Sequence, residues 1–404
     1  MPSSRRRFLG FAALGITGSG GLASLDTQER TDSQSPSDWP MGRYDPPGTG
    51  YNPKASGPKD GVAVAWTHQT PDWFRGSTQP IRRGETLYIG GNGLLALDSE
   101  TGQRRFSFQG PYHSSPTIAP ASIYETKTLG LTGPSGVYGV NANGGHALFP
   151  IERTVGEKRW TGPQSPAPGF FGPAESTTPV TANGTIYTAV PGTNSIVALD
   201  PNNGAVLWRR THHADDAVSG TYNRPAVDDG IVFATAWPQQ ATAYRADTGE
   251  LHWNHELEEM MVLPPAATDE GVVIPTRESV QLRARSDGTL LWERNLDANV
   301  TDSAPAVANG TIFVADEQES LHALSLTTGE TRWTAPFDGK TTPVVAADRV
   351  YAVDSLWALK AFDVATGEQM FEYHPQEVPL SPPIVGDGIL YLANRGRILA
   401  LEEA

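Results

Sequence analysis

Short apolar segments alternate with glycine-containing turns along the chain from residue 77 to the C-terminus. In one stretch, four segments of β-branched and apolar residues lie at 306–307, 311–315, 321–325 and 331–333. Runs of this length, bounded by Gly, Asn and Asp, are typical of β-strands, whereas an amphipathic helix needs apolar positions every three or four residues over a longer span. The pattern therefore predicts an all-β protein built from four-stranded antiparallel units.

The four-strand unit recurs, and its copies share three markers: a proline before the first strand, a glycine turn before the last strand, and an aromatic residue on the last strand. Successive aromatic residues are 38 to 54 residues apart. A period near 40 residues, made of short strands, is typical of a β-propeller in which each unit is one blade. We expect the aromatic residues to pack between neighbouring blades, which assigns six of the ten tryptophans to structure.

The markers are as follows. The prolines are Pro80, Pro116, Pro179, Pro225, Pro265, Pro305, Pro343 and Pro383. The turns, with the composition of two-residue hairpin turns, are Thr101-Gly102, Asn143-Gly144, Asn203-Gly204, Thr248-Gly249, Asp287-Gly288, Thr328-Gly329 and Thr366-Gly367. The aromatic residues are Trp66, Phe106, Trp160, Trp208, Trp253, Trp292, Trp333 and Phe371.

The two ends of the chain determine the number of blades. The eighth unit begins at Pro383 and stops at Ala404, where its glycine turn and last strand would follow. Residues 62–66 form an apolar segment that ends in Trp66 and has no unit before it. Pairing this segment with the last unit would remove two open sheet edges, which are otherwise sites of aggregation. The sequence thus predicts an eight-bladed β-propeller whose ring is closed by an N-terminal strand.

Composition and charge restrict the possible partners. The chain carries 45 acidic and 30 basic residues, for a net charge of −15, and 24 of the basic residues are Arg. Such a surface repels nucleic acid, and its acid-rich, Lys-poor character predicts a halophilic protein kept soluble in strong salt. The chain has no Cys, which excludes a disulfide framework, a thiolate metal site, a cysteine nucleophile and a lipid-modified N-terminal cysteine.

The N-terminus has the organisation of an export signal. Ser4-Arg5-Arg6-Arg7-Phe8-Leu9 precedes a modest apolar run at 11–16 and a zone of small residues at 20–24. This resembles a twin-arginine signal, which exports folded proteins, and the apolar run is too short for a permanent span of about 20 residues. We expect a signal at 1–24, cleaved near Ala23, a polar linker at 25–38, and a single propeller domain at 39–404.

The repeat carries a family resemblance. Ala-Leu-Asp-x-x-Thr-Gly at 96–102, followed by Phe106, and Ala-Leu-Asp-x-x-Asn-Gly followed by Trp at 198–208 are similar to the pyrroloquinoline-quinone-like (PQQ-like) repeat. The leading segment Trp39-Pro40-Met41-Gly42-Arg43-Tyr44-Asp45, continuing to Tyr51, also resembles exported members. The resemblance covers 39–404 and implies the fold, while sites are added to such rings independently of the scaffold.

Two branches of this family imply different functions. Quinone-dependent alcohol and sugar dehydrogenases hold PQQ and Ca²⁺ in an eight-bladed ring, with a catalytic Asp and commonly an adjacent Cys-Cys disulfide. They are typically much longer than this Cys-free chain. The other branch is similar to the propeller subunit of the bacterial outer-membrane barrel assembly machinery, which binds proteins without catalysis. The compact repeats favour the second branch, so we expect a non-catalytic binding or scaffolding module.

Polar residues just before the inner strands, or in the middle loop of a blade, are the candidate ligand site. Two carboxylates converging there with an Asn would suit Ca²⁺ through oxygen ligands, and under the dehydrogenase alternative this site would hold PQQ with Ca²⁺. The other interpretation is ordinary polarity at the rim of the channel, so no catalytic or metal residue is assigned. The candidates are Glu175, Tyr222, Asn223, Arg224, Asp302, Asp316, Lys340, Asp354, Asn394 and Arg395.

Several further features have both a functional and a structural interpretation. The aromatic- and proline-rich insertion at 146–175, and the connection at 212–224, suit recognition of a protein or glycan or covering of an edge. The sequons at Asn183, Asn299 and Asn309 permit N-glycosylation of an exported chain. Histidines 212, 213, 252 and 255 are expected on surface loops and strands rather than on a metal. We expect an exported monomer that binds its partner at the cell surface.

Overall fold

Each of the eight marker prolines stands directly before the first residue of a blade. Because proline has no N–H to donate to a sheet, it suits the start of a strand. A computed structural model describes residues 35, 37–70, 78–148, 153–164, 176–212, 221–259, 261–296, 298–300, 304–339, 341–355, 357–376, 380–394 and 396–404. The residues from 35 onward form one compact unit.

Eight four-stranded antiparallel sheets are the blades, and the prediction of an eight-bladed propeller is confirmed. We number the blades in chain order and call their strands inner, second, third and outer. Blade 1 consists of Ile81–Arg83, Thr86–Gly90, Gly93–Asp98 and Arg104–Gln109; blade 2 of Thr117–Ala119, Thr128–Gly133, Gly136–Asn141 and Lys158–Gln164; blade 3 of Val180–Ala182, Thr185–Ala189, Ser195–Leu199 and Val206–Thr211; blade 4 of Ala226–Asp228, Ile231–Trp237, Gln240–Arg245 and Leu251–Glu256.

The second half of the chain repeats the arrangement. Blade 5 consists of Ala266–Ala267, Val272–Pro275, Ser279–Arg283 and Leu290–Asn295; blade 6 of Ala306–Ala308, Thr311–Ala315, Ser320–Ser325 and Thr331–Pro336; blade 7 of Val344–Ala346, Arg349–Val353, Leu359–Asp363 and Gln369–Tyr373; blade 8 of Ile384–Gly386, Ile389–Ala393, Arg397–Glu403 and, as its outer strand, Val62–Gln69.

Four short strands lie outside this scheme. Tyr51–Asn52 pairs in parallel with the inner strand of blade 7, and Thr221–Tyr222 extends blade 4. His146–Leu148 and Arg153–Val155 form a separate hairpin within the predicted insertion. Residues 149–152, 165–175 and 213–220 of the two long connections lie outside the described residues.

The expected pairing of the two chain ends is observed. Val62–Gln69 runs antiparallel to Arg397–Glu403, with Val62 opposite Glu403 and Gln69 opposite Arg397. Blade 8 also contacts blade 1, where Arg82 forms an ion pair with Asp387 at 2.8 Å. The final blade is therefore made from both ends of the chain.

The hydrophobic core lies between neighbouring blades. One cluster joins Phe313 of blade 6 to Val350 and Phe362 of blade 7. The closing aromatic residues extend these contacts: the indole N–H of each closing Trp donates to a carbonyl in the next blade, as from Trp333 Nε1 to Val364 O at 2.9 Å. The other pairs are Trp66–Ser99, Trp160–Pro201, Trp208–Ala246, Trp253–Arg285 and Trp292–Leu326.

The turn glycines face these rings. Gly329 has φ +71°, and a Cβ placed on it would lie 2.6 Å from Cε3 of Trp292. The expectation of two-residue turns is wrong, because the loops contain four residues in blades 1 and 3 to 7, and the connection in blade 2 is longer. In blade 1, Asp98 N donates to Gln103 O and Gly102 N donates to Asp98 O. The side chain of Asp98 accepts from the amides of Glu100 and Thr101 and stabilises this longer loop.

Candidate functional site

The segment Trp39–Asn52, called the inner segment here, follows the inner strands of successive blades. Its first contact is a mutual pair of backbone hydrogen bonds between Trp39 and Arg82 of blade 1, at 2.8 and 2.9 Å. Further along, Val307 of blade 6 donates its N–H to Thr49 O at 2.8 Å. The remaining donors of this kind are Ile118 to Pro40, Val227 to Pro46, Ala267 to Pro47 and Val345 to Gly50.

These contacts explain where the inward edge of each blade finds its hydrogen-bond partners. An inner strand pairs with the second strand on one side only, which leaves its middle amide directed away from the blade. Buried amides without acceptors are costly, so the inner segment supplies carbonyls to six of the eight blades. The sequence resemblance of this segment to exported relatives did not predict that it lies against the inner strands.

Two arginines and one aspartate are brought together beside the inner segment. Arg224 donates from Nη2 to the carbonyls of Gly42 at 3.1 Å and Asp45 at 2.8 Å. Arg43 donates from Nε to the carbonyl of Gly48 at 2.9 Å, and also bonds Pro305 O across the ring. Burial lowers the pKa of Arg43 to about 9 and that of Arg224 to about 10, because desolvation disfavours the charged form.

Of the predicted rim residues at the start of blade 4, only Arg224 reaches the inner segment. Tyr222 points to Tyr244, with 2.9 Å between the two hydroxyl oxygens, and burial raises its pKa. Asn223 donates from Nδ2 to the carbonyl of Val262 at 2.7 Å, in the loop before blade 5.

The middle-loop candidates stabilise turns. Asp316 accepts amide hydrogens from Gln318 and Ser320, at 3.0 and 3.1 Å. Asn394 Oδ1 accepts from Gly396 N at 3.2 Å. Asp354 caps the equivalent turn by accepting from Ala358 N at 2.8 Å, and it pairs with Lys360 at 3.0 Å. The other candidates, Glu175, Asp302, Lys340 and Arg395, lie outside the described residues.

The described residues do not fit a calcium and quinone site. Near residues 42–49 of the inner segment, the charged groups include the guanidinium groups of Arg43 and Arg224 and the carboxylate of Asp45, whose oxygens accept from Thr49 N and Thr49 Oγ1 at 2.8 and 2.6 Å. Ca²⁺ takes six to eight oxygen ligands, and adjacent guanidinium groups would repel it. In the part of the chain that is described, no three His, Asp or Glu side chains are placed to hold a metal ion. His255 instead bonds the carbonyl of Asp287, at 2.8 Å.

Exposed apolar side chains distinguish the outer strands of blades 3 to 5. Leu207 is 55% exposed, Leu251 61% and Leu291 52%, and Val206 and Leu290 lie beside them. We call these five residues the blade 3–5 patch. The equivalent positions are Arg104 and Arg105 in blade 1 and Thr331 and Arg332 in blade 6. Sequence reasoning missed the patch, although comparing the two residues before each closing aromatic would have found it.

A pocket of about 330 Å³ opens beside the patch, between blades 3 and 4. Leu251 lies at its edge and therefore belongs to both features. The polar lining includes Arg210, which already donates to the carbonyls of Gly249 and Thr248, and Asn254, which accepts from Thr242 Oγ1 at 2.9 Å. Together they form an apolar surface with a polar recess, and one edge of each outer strand has no partner strand among the described residues.

The blades define a propeller of PQQ-like repeats, with the inner segment along its inner strands and exposed apolar side chains on the outer strands of blades 3 to 5. The chain belongs to the family described as outer membrane protein assembly factor BamB, whose profile matches residues 192–284 and 276–404. The factor of that name from Moranella endobia is 26% identical over 236 residues, which are 51% of this chain and 59% of that protein. This chain thus covers less than two thirds of that relative's length.

Solved structures show the same fold. BamB from Moraxella catarrhalis superposes with a TM-score of 0.58 and 20% identity, over 74% of this chain and 90% of that one. The quinohemoprotein alcohol dehydrogenase from Comamonas testosteroni superposes with a TM-score of 0.71 and 12% identity, over 92% of this chain and 82% of that one. At such identities, both similarities concern the fold alone. Among the described residues there is also no helix of the length and apolarity needed to cross a membrane.

Proposed function

We propose that this protein is a non-catalytic binding propeller of the cell envelope, and that it docks an extended segment of a partner protein on the blade 3–5 patch. The single observation that carries the proposal is the patch itself. Exposed sheet edges are normally protected by charged residues, as Arg104 and Arg105 protect blade 1, whereas three consecutive blades here present Val and Leu.

The chemistry of this surface favours a polypeptide partner over a glycan. Each outer strand has one edge without a partner strand among the described residues. An extended segment can pair with such an edge by adding a strand, while apolar side chains beside the edge select its residues. Membership of a family described by outer membrane protein assembly supports a partner of this kind. A glycan would use the polar lining of the pocket and would depend little on Leu207 or Leu291.

The test compares two variants with three substitutions each. The patch variant carries Leu207→Ser, Leu251→Ser and Leu291→Ser, and the control carries Arg104→Ser, Arg332→Ser and Gln369→Ser at equivalent positions. All six side chains lie on outer strands, so both variants should fold. We expect wild type and control to retain the same envelope protein on an affinity column and the patch variant to lose it. Equal retention by both variants would contradict the proposal.

The alternative is a PQQ- and Ca²⁺-dependent dehydrogenase. Titration of the folded protein with PQQ, with and without Ca²⁺ in high salt, separates the two functions. Micromolar, calcium-dependent binding and reduction of an artificial acceptor with alcohols or sugars would establish the enzyme and overturn the binding role. The residues facing the inner segment lead us to expect no heat of binding.

Export by the twin-arginine route, from a halophilic cell to its surface, is part of the same proposal. It rests on Ser4 to Leu9 and on the acid-rich composition. Arg5→Lys with Arg6→Lys should retain the protein inside the cell, because this route requires both arginines, while Arg30→Lys serves as the control. Unchanged export of the double variant would contradict this route.

A further inference from the structure

Two buried guanidinium groups lie near one another at the inner segment, with the single carboxylate of Asp45 close to both. Arg43 is 8% exposed and Arg224 is 5% exposed. Their hydrogen bonds go to backbone carbonyls, which carry only partial charge. Both carboxylate oxygens of the nearby Asp45 accept hydrogen bonds from Thr49. In the described structure, no ion pair within 4 Å joins Asp45 to either arginine.

Each guanidinium group also keeps a buried donor that has no acceptor among the residues that the structure describes. These donors are Nη1 of Arg43 and Nε of Arg224. A buried N–H group without an acceptor is costly, and a buried charge costs more still. The two charges also act on each other, since Arg224 contributes to the lowered pKa of Arg43.

The backbone around Arg43 is held in an unfavourable conformation. Arg43 and Tyr44 have φ values of +67° and +68°, in the left-handed region that favours glycine. Two consecutive strained residues at a buried cation show that the fold constrains this side chain strongly. Glycine stands where the chain passes closest: a Cβ on Gly48 would lie 2.6 Å from Nη1 of Arg224.

We propose that Arg43 and Arg224 bind a small inorganic anion of halide size beside the inner segment. Nη1 of Arg43 and Nε of Arg224 are the donors that remain for it. The anion neutralises the excess positive charge and satisfies these N–H groups, as charge-assisted hydrogen bonds to an anion do. The site stabilises the ring, because the inner segment and blade 4 supply one arginine each. It is independent of partner binding on the blade 3–5 patch.

The first experiment measures the melting temperature in sodium chloride and in sodium gluconate at equal concentrations. We expect chloride to raise it further, with a saturating dependence, because a ligand of the folded state stabilises that state by mass action. Arg224→Gln should lose the difference between the two salts. Arg349→Gln should keep it, because Arg349 is equally buried but already paired with Asp348 and Asp363. Equal melting temperatures of the wild type in both salts would overturn the proposal.

The second experiment does not depend on a variant that folds. Crystals of the wild type grown in sodium bromide should show an anomalous peak at hydrogen-bonding distance from Arg43 Nη1 or Arg224 Nε. A water molecule there, with no anomalous signal, would mean that solvent completes these hydrogen bonds and that no anion is bound.

Discussion

The indole Nε1 of Trp66 lies 3.1 Å from the carbonyl oxygen of Ser99, and this hydrogen bond joins the last blade to the first. The ring of Trp66 also covers Gly102, where a Cβ would lie 2.5 Å from Cε3. The same bond and contact recur at the other closing tryptophans. The two chain ends are therefore joined by the same contact that joins consecutive blades.

Substitution of Trp66 tests this contact. Trp66→Phe keeps the ring packing but loses the hydrogen bond, which should lower the free energy of unfolding by about 1 kcal/mol. Trp66→Ala removes the packing as well and should cost about 3 kcal/mol. Urea unfolding measures both values. Equal losses for the two variants would show that packing on Gly102 contributes nothing.

Two glycines with the same backbone conformation separate conformational strain from contact with a ring. Gly329 has φ +71° and faces Trp292, whereas Gly310 has φ +69° and its Cβ would meet nothing closer than Nη2 of Arg332, at 3.9 Å. Alanine at either position should cost about 1 kcal/mol for the left-handed conformation. Gly329→Ala should cost about 2 kcal/mol more, because the indole must move. Its tryptophan fluorescence should shift, and that of Gly310→Ala should not.

Hydrogen exchange tests the contacts of the inner segment. The amides of Val227, Ala267 and Val307 donate to segment carbonyls, but no such bond is formed in the described structure by the equivalent amides of Thr181 in blade 3 and Val385 in blade 8. We expect Thr181 and Val385 to exchange faster, because a bonded amide must first open. Uniform protection across the eight inner strands would mean that the segment is not needed to protect them.

The loss of stability at acidic pH, measured as the free energy of unfolding, should depend in part on Asp98. Its pKa is lowered to about 2, chiefly by the hydrogen bond from Arg105 at 2.7 Å. Since the folded pKa lies below the unfolded one, the contribution is complete above about pH 4. It is lost as the pH falls through about 2. Because solvent screens the pair, we expect about 1 kcal/mol or less.

Arg105→Gln should return the pKa of Asp98 towards its ordinary range, which a carboxyl NMR titration measures. Asp98→Asn should be less stable than the wild type at pH 6, and the difference should disappear near pH 2. A difference that persists at pH 2 would mean that Asp98 acts only through the shape of its loop.

Local repetition made the blades predictable from the sequence. Pro305, Gly329 and Trp333 occupy fixed places within one unit, and each acts on neighbours in the same or the next blade. The inner segment was not predictable in this way. Its bonds join Thr49 to Val307 and Arg43 to Pro305, and no periodicity relates such distant residues. Arg224 was found as a candidate from its place before blade 4, but its burial follows only from the path of the segment.

The shared final blade also has a consequence for how the molecule forms. Lys59 donates its amide to the carboxylate of Glu403, 344 positions away along the chain. Contacts of such long sequence separation form slowly, because a large loop must close, with a loss of conformational entropy, before the stabilising bonds form. Seven blades can assemble while the chain is still being synthesised, but the eighth needs residues 397–403 to have left the ribosome. Ring completion therefore requires the last strand of blade 8, and until it occurs Val62–Gln69 and Arg397–Glu403 each expose an unpaired sheet edge to chaperones and proteases.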